Sequence, residues 1–471
     1  MRICVILEGC YPYVTGGVSS WMHQYIKAMP EHEFVVLAIG ADPSIKGQFK
    51  YELPDNVVEI RELFLAGNKA VSHGTSRVSL TEEEQKALYE LIRGGSPDWE
   101  TIFAMMQEKN YSPEAILTCK QFQTIFTEVS KEHFRYKAFS DLFHTIRSML
   151  IPLLEILRAD MPKADVYHTI ATGYAGILAR LGGYIYHVPY MITEHGMYTR
   201  EREEEILRAR WVVPDCRGLW IRFFYMLSEA AYAGAQVVTS LFERARKTQI
   251  EMGCRADKCR VIANGIHYDD FASVAPREED GFVNIAAVLR IAPIKDVKTM
   301  LYAFAELKKR FGPARLYIAG PADDQDYARE CYELVDRLQI RDDVFFMGTI
   351  KVTEHMHKFD FTVLSSISEG QPLSVLESFA AGRPCVTTDV GCCKELLNGT
   401  GPDQEGLAGL CVPPMQPQAL GLAMEELCRD KDLRLAMGQA GKRRARKYFQ
   451  HRDMIRNYQA AYDEVFRLWQ E

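Results

Sequence analysis

At 471 residues the chain exceeds the roughly 250–300 over which a single core keeps growing, so two domains are expected. A hydrophobic share of 47% and a charged share of 25% belong to an ordinary globular protein and exclude disordered and fibrous classes, while a net charge of −7 gives no electrostatic reason to seek nucleic acid. The twelve cysteines include no C-x-x-C pair and no Cys/His array at zinc-ligand spacing; Cys254 and Cys259 read as isolated from other ligand candidates, and the set as thiols of a reducing compartment.

The chain opens on a buried-strand pattern, MRICVILEGCYP, without the basic region or cleavage site of a signal peptide, and no apolar run reaches the length of a membrane span. A cytoplasmic protein is expected, peripheral at most to the inner face of a membrane. Short β-branched runs alternating with amphipathic stretches predict an α/β protein with parallel sheets. In the first half strands are expected near Arg2–Leu7, Phe34–Ala38, Val57–Ile60, Ala164–His168, Pro189–Thr193, Gln236–Thr239 and Cys259–Ala263. Between the first of these and a helix at Ser19–Met29 stands Tyr13-Val-Thr-Gly16-Gly17-Val18, where two glycines permit a backbone to approach a ligand, though the G-x-G-x-x-G dinucleotide spacing is absent. From about 66 to 160 the rhythm stops, and a helical insertion is expected, opening with Thr81 as a helix cap. Two later strands end on histidines at their carboxyl edge: His168, and His195 within Thr193-Glu194-His195-Gly-Met-Tyr198. Either histidine is as readily a structural core residue as a ligand contact.

The domain border is placed after Asn264-Gly265-Ile266, before an acidic stretch containing Pro276. The expected division is 1–268, 269–449, and a final amphipathic helix at 450–471 returning to the first domain. The second half carries strands near Val283–Val288, Arg315–Ala319, Val344–Met347, Phe361–Leu364, Pro384–Thr387 and Leu410–Val412. At the carboxyl edge of the first lie Arg290 and Lys295, a fork and a point charge suited to two phosphates. After Phe361–Leu364 comes Ser368-Glu369-Gly370-Gln371-Pro372-Leu373-Ser374-Val-Leu-Glu377, where Gly370 and Pro372 lead into a helix whose free amides make an anion seat between two carboxylates. Were that helix continuous from Glu369 to Glu377, they would lie about 12 Å apart. Taken singly, each of these charge pairs reads equally well as solvated surface.

Together these segments resemble the retaining glycosyltransferases of family 4, which have the GT-B fold of two Rossmann-like domains facing across a cleft. The most specific elements are Glu369-x7-Glu377 and Arg290-x4-Lys295. In the first half, Glu8 to Trp21, Tyr167 to Gly176 and Thr193 to Arg202 are similar to the glycosyltransferases of Pel exopolysaccharide synthesis, as is the helical insertion. The resemblance implies a metal-independent, cofactor-free hexosyltransferase using a UDP-sugar, UDP-glucose first, with an N-acetylhexosamine donor left open, and a growing polysaccharide as acceptor at an inner-membrane synthase complex. It implies that Arg290 and Lys295 bind the diphosphate and stabilise the leaving group, and that Glu377 accepts from the ribose hydroxyls. It further implies that Glu369 with Gly370, Gln371, Pro372, Leu373 and Ser374 holds the sugar and its phosphate. Gly16 and Gly17 approach the diphosphate, Gly348 lies beside the base, and His195 contacts the transferred sugar; His168, Glu194 and Tyr198 are further sugar or acceptor contacts. A front-face mechanism, in which the leaving phosphate takes the acceptor's proton, comes with the family.

Competing readings are a metal-dependent enzyme using Asp324-Gln-Asp326, a His355/His357 metal site, and a non-catalytic nucleotide-sugar-binding scaffold. The run Lys442-Arg-Arg-Ala-Arg-Lys447 reads as a solvated helix face or as a patch for an acidic membrane.

Overall fold

The computed structural model describes residues 1–65, 78–275 and 277–470; the first part of the expected insertion, 66–77, and Pro276 fall outside them. By internal contacts the chain divides into two compact units, 1–261 with 459–471, and 262–458. Residues 262–268, expected to close the first domain, thus belong to the second unit.

The first unit is built on a parallel sheet of β1 (Arg2–Glu8), β2 (Glu33–Gly40), β3 (Val57–Phe64), β4 (Val166–Thr169), β5 (Tyr190–Glu194), β6 (Val237–Ser240) and β7 (Cys259–Val261), in the order β3-β2-β1-β4-β5-β6-β7. The second has β8 (Val283–Val288), β9 (Ala314–Ala319), β10 (Val344–Gly348), β11 (Phe361–Leu364), β12 (Cys385–Thr388) and β13 (Gly409–Val412), in the order β10-β9-β8-β11-β12-β13. Each run of β-branched residues read from the sequence therefore becomes a strand. The central strands are covered on both faces, as in β1, where Ile3 to Leu7 are all fully buried. In both sheets the order reverses beside the first strand, between β1 and β4 and between β8 and β11. Such a switch point leaves a crevice at the carboxyl ends of the strands.

Between β3 and β4 the described residues form helices Glu82–Arg93, Trp99–Gln107, Pro113–Thr118, Lys120–His133 and Phe139–Ile156. Thr81 begins them with a reciprocal capping box to Glu84. Their apolar faces, through Leu88, Phe103, Phe122, Phe126 and Leu153, share one continuous core with Ile6 and Val35 of the sheet. The last helix, His451–Gln470, buries Tyr458, Tyr462 and Val465. Tyr462 receives a 2.8 Å hydrogen bond from the Tyr25 hydroxyl, fixing its end within the first unit.

The basic run on the helix Lys431–Tyr448 is neither a bare solvated face nor a free patch. Arg444 is fully buried against Asp403, Arg443 and Lys447 pair with Glu405, and Lys442 donates to the carbonyl of Ala272. Cys254 and Cys259 are not isolated from each other, since their sulfurs lie 3.3 Å apart. Among the described residues no helix is long and apolar enough to cross a membrane.

Candidate functional site

At the switch point of the second sheet, the loop after β8 and the loop after β11 are tied into one body. Ser365 Oγ donates to the carbonyls of Lys295 and Asp296 at 2.8 and 3.0 Å, and the Ile367 amide donates to Ile294 at 2.9 Å. The short 3-10 turn Pro293–Lys295 then presents Lys295, whose Nζ donates to Glu369 Oε1 at 2.5 Å; Ser366 Oγ donates to the same oxygen at 2.5 Å. Both charged side chains are largely withdrawn from solvent, 17% and 10% exposed. A pair so placed has a real electrostatic value, because burial limits screening, but its desolvation has to be offset by further hydrogen bonds. Ser366 supplies one.

Glu369 lies ahead of the helix, which starts only at Leu373, so the two glutamates are not joined by continuous helix as the sequence suggested. Pro372 occupies the cap position of Leu373–Ala380, and no side chain caps that end. The helix's positive pole and its first amides are thereby left for an anion. Gln371 is turned inward: its Oε1 accepts from the Asn264 amide at 2.6 Å, so its side chain pins the loop, and any contact with ligand falls to its backbone. Gly391, in the left-handed region at φ +54°, lets the loop pass: a Cβ there would lie 2.3 Å from the carbonyl oxygens of Glu369 and Gly370.

Glu377 stands apart from these contacts. Among the described residues no hydrogen bond or ion pair reaches its carboxylate, and burial alone pushes its pKa up to about 7. Its side chain is only partly buried by surface area, so the carboxylate is open to the donors of a ligand. Arg290 pairs with Asp323 at 2.5 Å in a partly exposed contact, so its fork remains accessible from solvent. Gly348 ends β10 at φ +64° with open space where its Cβ would stand, and its carbonyl accepts from Gly320 at 2.8 Å.

The carboxyl edge of the first sheet is chemically different. His168 is fully buried, with Nδ1 2.8 Å from the Tyr462 hydroxyl and Nε2 2.8 Å from Thr193 Oγ1. Both ring nitrogens are engaged inside the core, and this corrects the expectation of a sugar contact. Burial holds its pKa down to about 3, so the ring is neutral. Glu194 is also turned inward, accepting from Tyr232 at 2.5 Å and Gln249 at 2.9 Å, with burial pushing its pKa up to about 7. Tyr198 is buried and donates to Glu8 Oε1 at 3.0 Å, so its hydroxyl too serves the protein. His195 differs from these three. Its ring meets Trp21 edge-on at 4.3 Å, Nε2 has no hydrogen-bond partner, and burial lowers its pKa to about 4. A Cβ on Gly16 or Gly17 would meet nothing within 4 Å, so the protein's own packing does not require glycine at either place.

Several contributors were not found in the sequence. Ser366 holds the loop, Gly391 admits it, and Trp21, on the helix Gly17–Lys27, braces His195. The competing metal motifs have structural duties or stand alone. Asp324 caps the helix Gln325–Arg337 and Asp326 pairs with Arg329, and no group of three or more metal-ligating side chains occurs among the described residues.

Residues 1–257 match the family described as a domain of unknown function, DUF3492, and residues 270–444 match the glycosyl transferases group 1. The chain is 26% identical over 239 residues to the alpha-monoglucosyldiacylglycerol synthase of Streptococcus pneumoniae, covering 48% of this chain and 52% of that protein. It is 24% identical over 312 residues to the MMP alpha-(1->4)-mannosyltransferase of Mycolicibacterium hassiacum, covering 64% and 71%. The chain spans about half the length of the first curated relatives it matches. Among solved structures, HepE of Anabaena in complex with UDP superposes with a TM-score of 0.62 at 13% identity, over 99% of this chain and 100% of that one. Sucrose-phosphate synthase of Thermosynechococcus elongatus gives 0.60 at 15%, over 99% of both. At such identities the likeness is one of fold, GT-B, with two parallel-sheet Rossmann-like units.

Proposed function

The chain belongs to the DUF3492 family and continues into a group 1 glycosyl transferase segment; from that premise we propose a retaining hexosyltransferase that draws on a UDP-sugar, UDP-glucose first, and extends an exopolysaccharide of the Pel type. The observation that carries the reading is the second unit's switch point, where the Lys295–Glu369 pair, an uncapped helix start and the partnerless Glu377 follow one another. In this reading Glu377 receives the ribose hydroxyls, which supply the hydrogen bonds it lacks. The diphosphate takes the amides of Leu373 and Ser374 with Arg290 and Lys295, and Glu369, already fixed by Lys295 and Ser366, accepts from the sugar hydroxyls. Gly348 borders the base; Gly16 and Gly17 allow backbone to approach the diphosphate, and His195, neutral and with Nε2 unpartnered, is assigned to the transferred sugar.

Transfer breaks the bond between the anomeric carbon and the β-phosphate oxygen. The acceptor hydroxyl forms the new bond on the same face and its proton passes to the departing phosphate. In this reading negative charge grows on that phosphate beside Lys295, Arg290 and the helix amides, so stabilisation comes from preorganised charge and requires neither a metal nor a cofactor. The UDP and UDP-glucose complexes of HepE support a uridine donor, and the resemblance of the first half to the glycosyltransferases of Pel exopolysaccharide synthesis supports the polymer as acceptor. The site of action is then the cytoplasmic face of a membrane, beside a synthase complex.

Calorimetry against UDP- and GDP-sugars, followed by turnover with the tightest binder, tests this. UDP-glucose is expected to bind best and UDP to be released; preference for a GDP-sugar, or binding without turnover on any polysaccharide acceptor, contradicts it. An N-acetylhexosamine donor emerges from the same panel.

A further inference from the structure

Beside β7 of the first unit stands a pair of thiols that the donor site does not use. Cys254 and Cys259 are both buried, and their sulfurs are 3.3 Å apart. Both sulfurs also lie against the carbonyl oxygen of Arg255, at 3.8 and 3.3 Å, so one turn of chain holds the two together. Cys259 is fixed in the sheet, where it pairs with Val238 of β6. Cys254 belongs instead to the turn that follows the helix Glu243–Glu251, where Gly253 stands at φ +95° and Gly253, Arg255, Ala256 and Asp257 are exposed. Little more than that turn separates the thiols from solvent, and it is the turn that can give.

The two sulfurs are unequal. The contact between them, together with burial, pushes the Cys254 thiol up, whereas the same contact, helped by the nearby Arg246 and Arg260, holds the Cys259 thiol below its usual range against burial and Asp257. Both guanidiniums are themselves paired, Arg246 with Glu243 and Arg260 with Glu464, so they bias the pair without fixing a permanent thiolate.

The turn also reaches the first sheet's carboxyl edge. The Cys254 amide donates to the carbonyl of Gln249 at 2.9 Å, and the buried Gln249 side chain donates to Glu194 Oε2 at 2.9 Å, next in sequence to His195. Glu194 stands close enough to Cys254 to raise its thiol, and both thiols raise the phenol of Tyr232, the other donor to Glu194. Closing the sulfurs from 3.3 Å to a disulfide's about 2.05 Å draws the pair together by about 1.2 Å. With Cys259 held in the sheet, that movement falls on Cys254 and on the end of the helix that carries Gln249.

We propose that Cys254 and Cys259 are a redox-sensitive pair, converted by a hydroperoxide to a reversible disulfide that displaces Gln249 from Glu194 and slows transfer. The Cys259 thiolate attacks the peroxide: an S–O bond forms, the O–O bond breaks, and the departing oxygen takes a proton to leave as an alcohol or water. The Cys254 sulfur then attacks Cys259; the S–S bond forms, the S–O bond breaks, and the hydroxide leaves as water with the Cys254 proton. The two electrons come from the two thiols, and a dithiol returns them. In a reducing compartment such a bond is transient, as suits a sensor. Oxidation of the pair goes beyond the proposed function; only the effect on transfer rests on it.

The test exposes the reduced full chain to hydrogen peroxide and reads intact mass, peptide mapping after alkylation, and hydrogen exchange of the segment 194–198. The wild type is expected to lose two hydrogens at a 254–259 crosslink, to regain them with dithiothreitol, and to exchange faster at 194–198 while oxidised. Cys254→Ala and Cys259→Ala are expected to fold by circular dichroism and to show neither change. Turnover of the oxidised wild type is expected to fall about threefold or more, the scale of a small misplacement beside a site, with UDP affinity retained, and to recover with dithiothreitol. Free thiols at both positions after peroxide has oxidised other cysteines, or a disulfide that leaves exchange at 194–198 and turnover unchanged, would overturn the proposal. A chain inactive in both redox states counts against the donor reading instead, while mass and exchange still decide the fate of the pair.

Discussion

The two sheets share a strand order and a switch point, yet their carboxyl edges have opposite electrostatic characters. In the second unit the edge keeps charged side chains: Lys295 with Glu369 largely withdrawn from solvent, Arg290 with Asp323 partly exposed, and Glu377 with no protein partner among the described residues. In the first unit the corresponding edge has been turned into core, with His168 neutral between Tyr462 and Thr193, and Glu194 closed off by Tyr232 and Gln249. Topology therefore determines where a ligand can lie, and the neighbours of each edge residue determine whether its side chain is available. At the first edge two atoms remain unpartnered, Nε2 of His195, whose ring is braced by Trp21, and Oε1 of the inward-turned Glu194.

The largest expected effect falls on the second edge. Lys295→Ala removes the charge that the proposal assigns to the leaving phosphate and is expected to lower kcat about 10²–10³-fold, the range for losing a transition-state donor. Single-turnover kinetics at saturating donor would measure it. An effect no larger than that of a surface lysine would dissolve the contrast between the edges.

Glu377→Gln comes next, with donor KM rising about ten- to a hundredfold, as for hydrogen bonds to a charged acceptor. Its pH dependence has a definite sign. Because burial raises the carboxyl from 4.5 to about 7, the folded protein keeps a proton there that the unfolded chain releases, so this group costs stability increasingly as pH rises from about 4.5 through about 7. The glutamine variant is expected to melt like wild type at pH 5 and about 2 °C or more higher at pH 8. Glu194 titrates in the same window, so the wild-type-minus-variant difference is the quantity to read. Wild-type donor affinity is expected to weaken below pH 7, and the variant's to stay flat.

His168→Ala sharpens the comparison from the other side. Removing a buried ring that bridges Tyr462 and Thr193 is expected to cost about 1–3 kcal/mol of stability, read from denaturant midpoints, while kcat of the folded fraction is unchanged. His195→Ala is the smallest and most discriminating: turnover falls about tenfold with donor affinity retained. Since its pKa is near 4, the wild-type rate should show no inflection from this ring between pH 6 and 8.

The fold was largely legible because buried parallel strands announce themselves as short apolar, often β-branched runs, and the thirteen strands among the described residues arise from such runs. The spacing Glu369-x7-Glu377 and the pair Arg290, Lys295 were likewise readable, being local in sequence. What was not legible depends on distant partners. Gln371 is committed by Asn264, 107 residues away, and His168 by Tyr462, 294 residues away. The basic run at 442–447 looked free because its acceptors, Asp403, Glu405 and Ala272, come from elsewhere in the chain. Gly391 shows no signal beyond its place after a strand, since its need arises from the carbonyls of another loop.

The central claim is that the charges at the second unit's switch point hold the donor's diphosphate. Calorimetric titration of UDP into wild type, Lys295→Ala, Glu377→Gln and His195→Ala tests it most directly. Weaker binding in the first two variants and wild-type binding in the third is the predicted result; undiminished UDP binding in both Lys295→Ala and Glu377→Gln would contradict it.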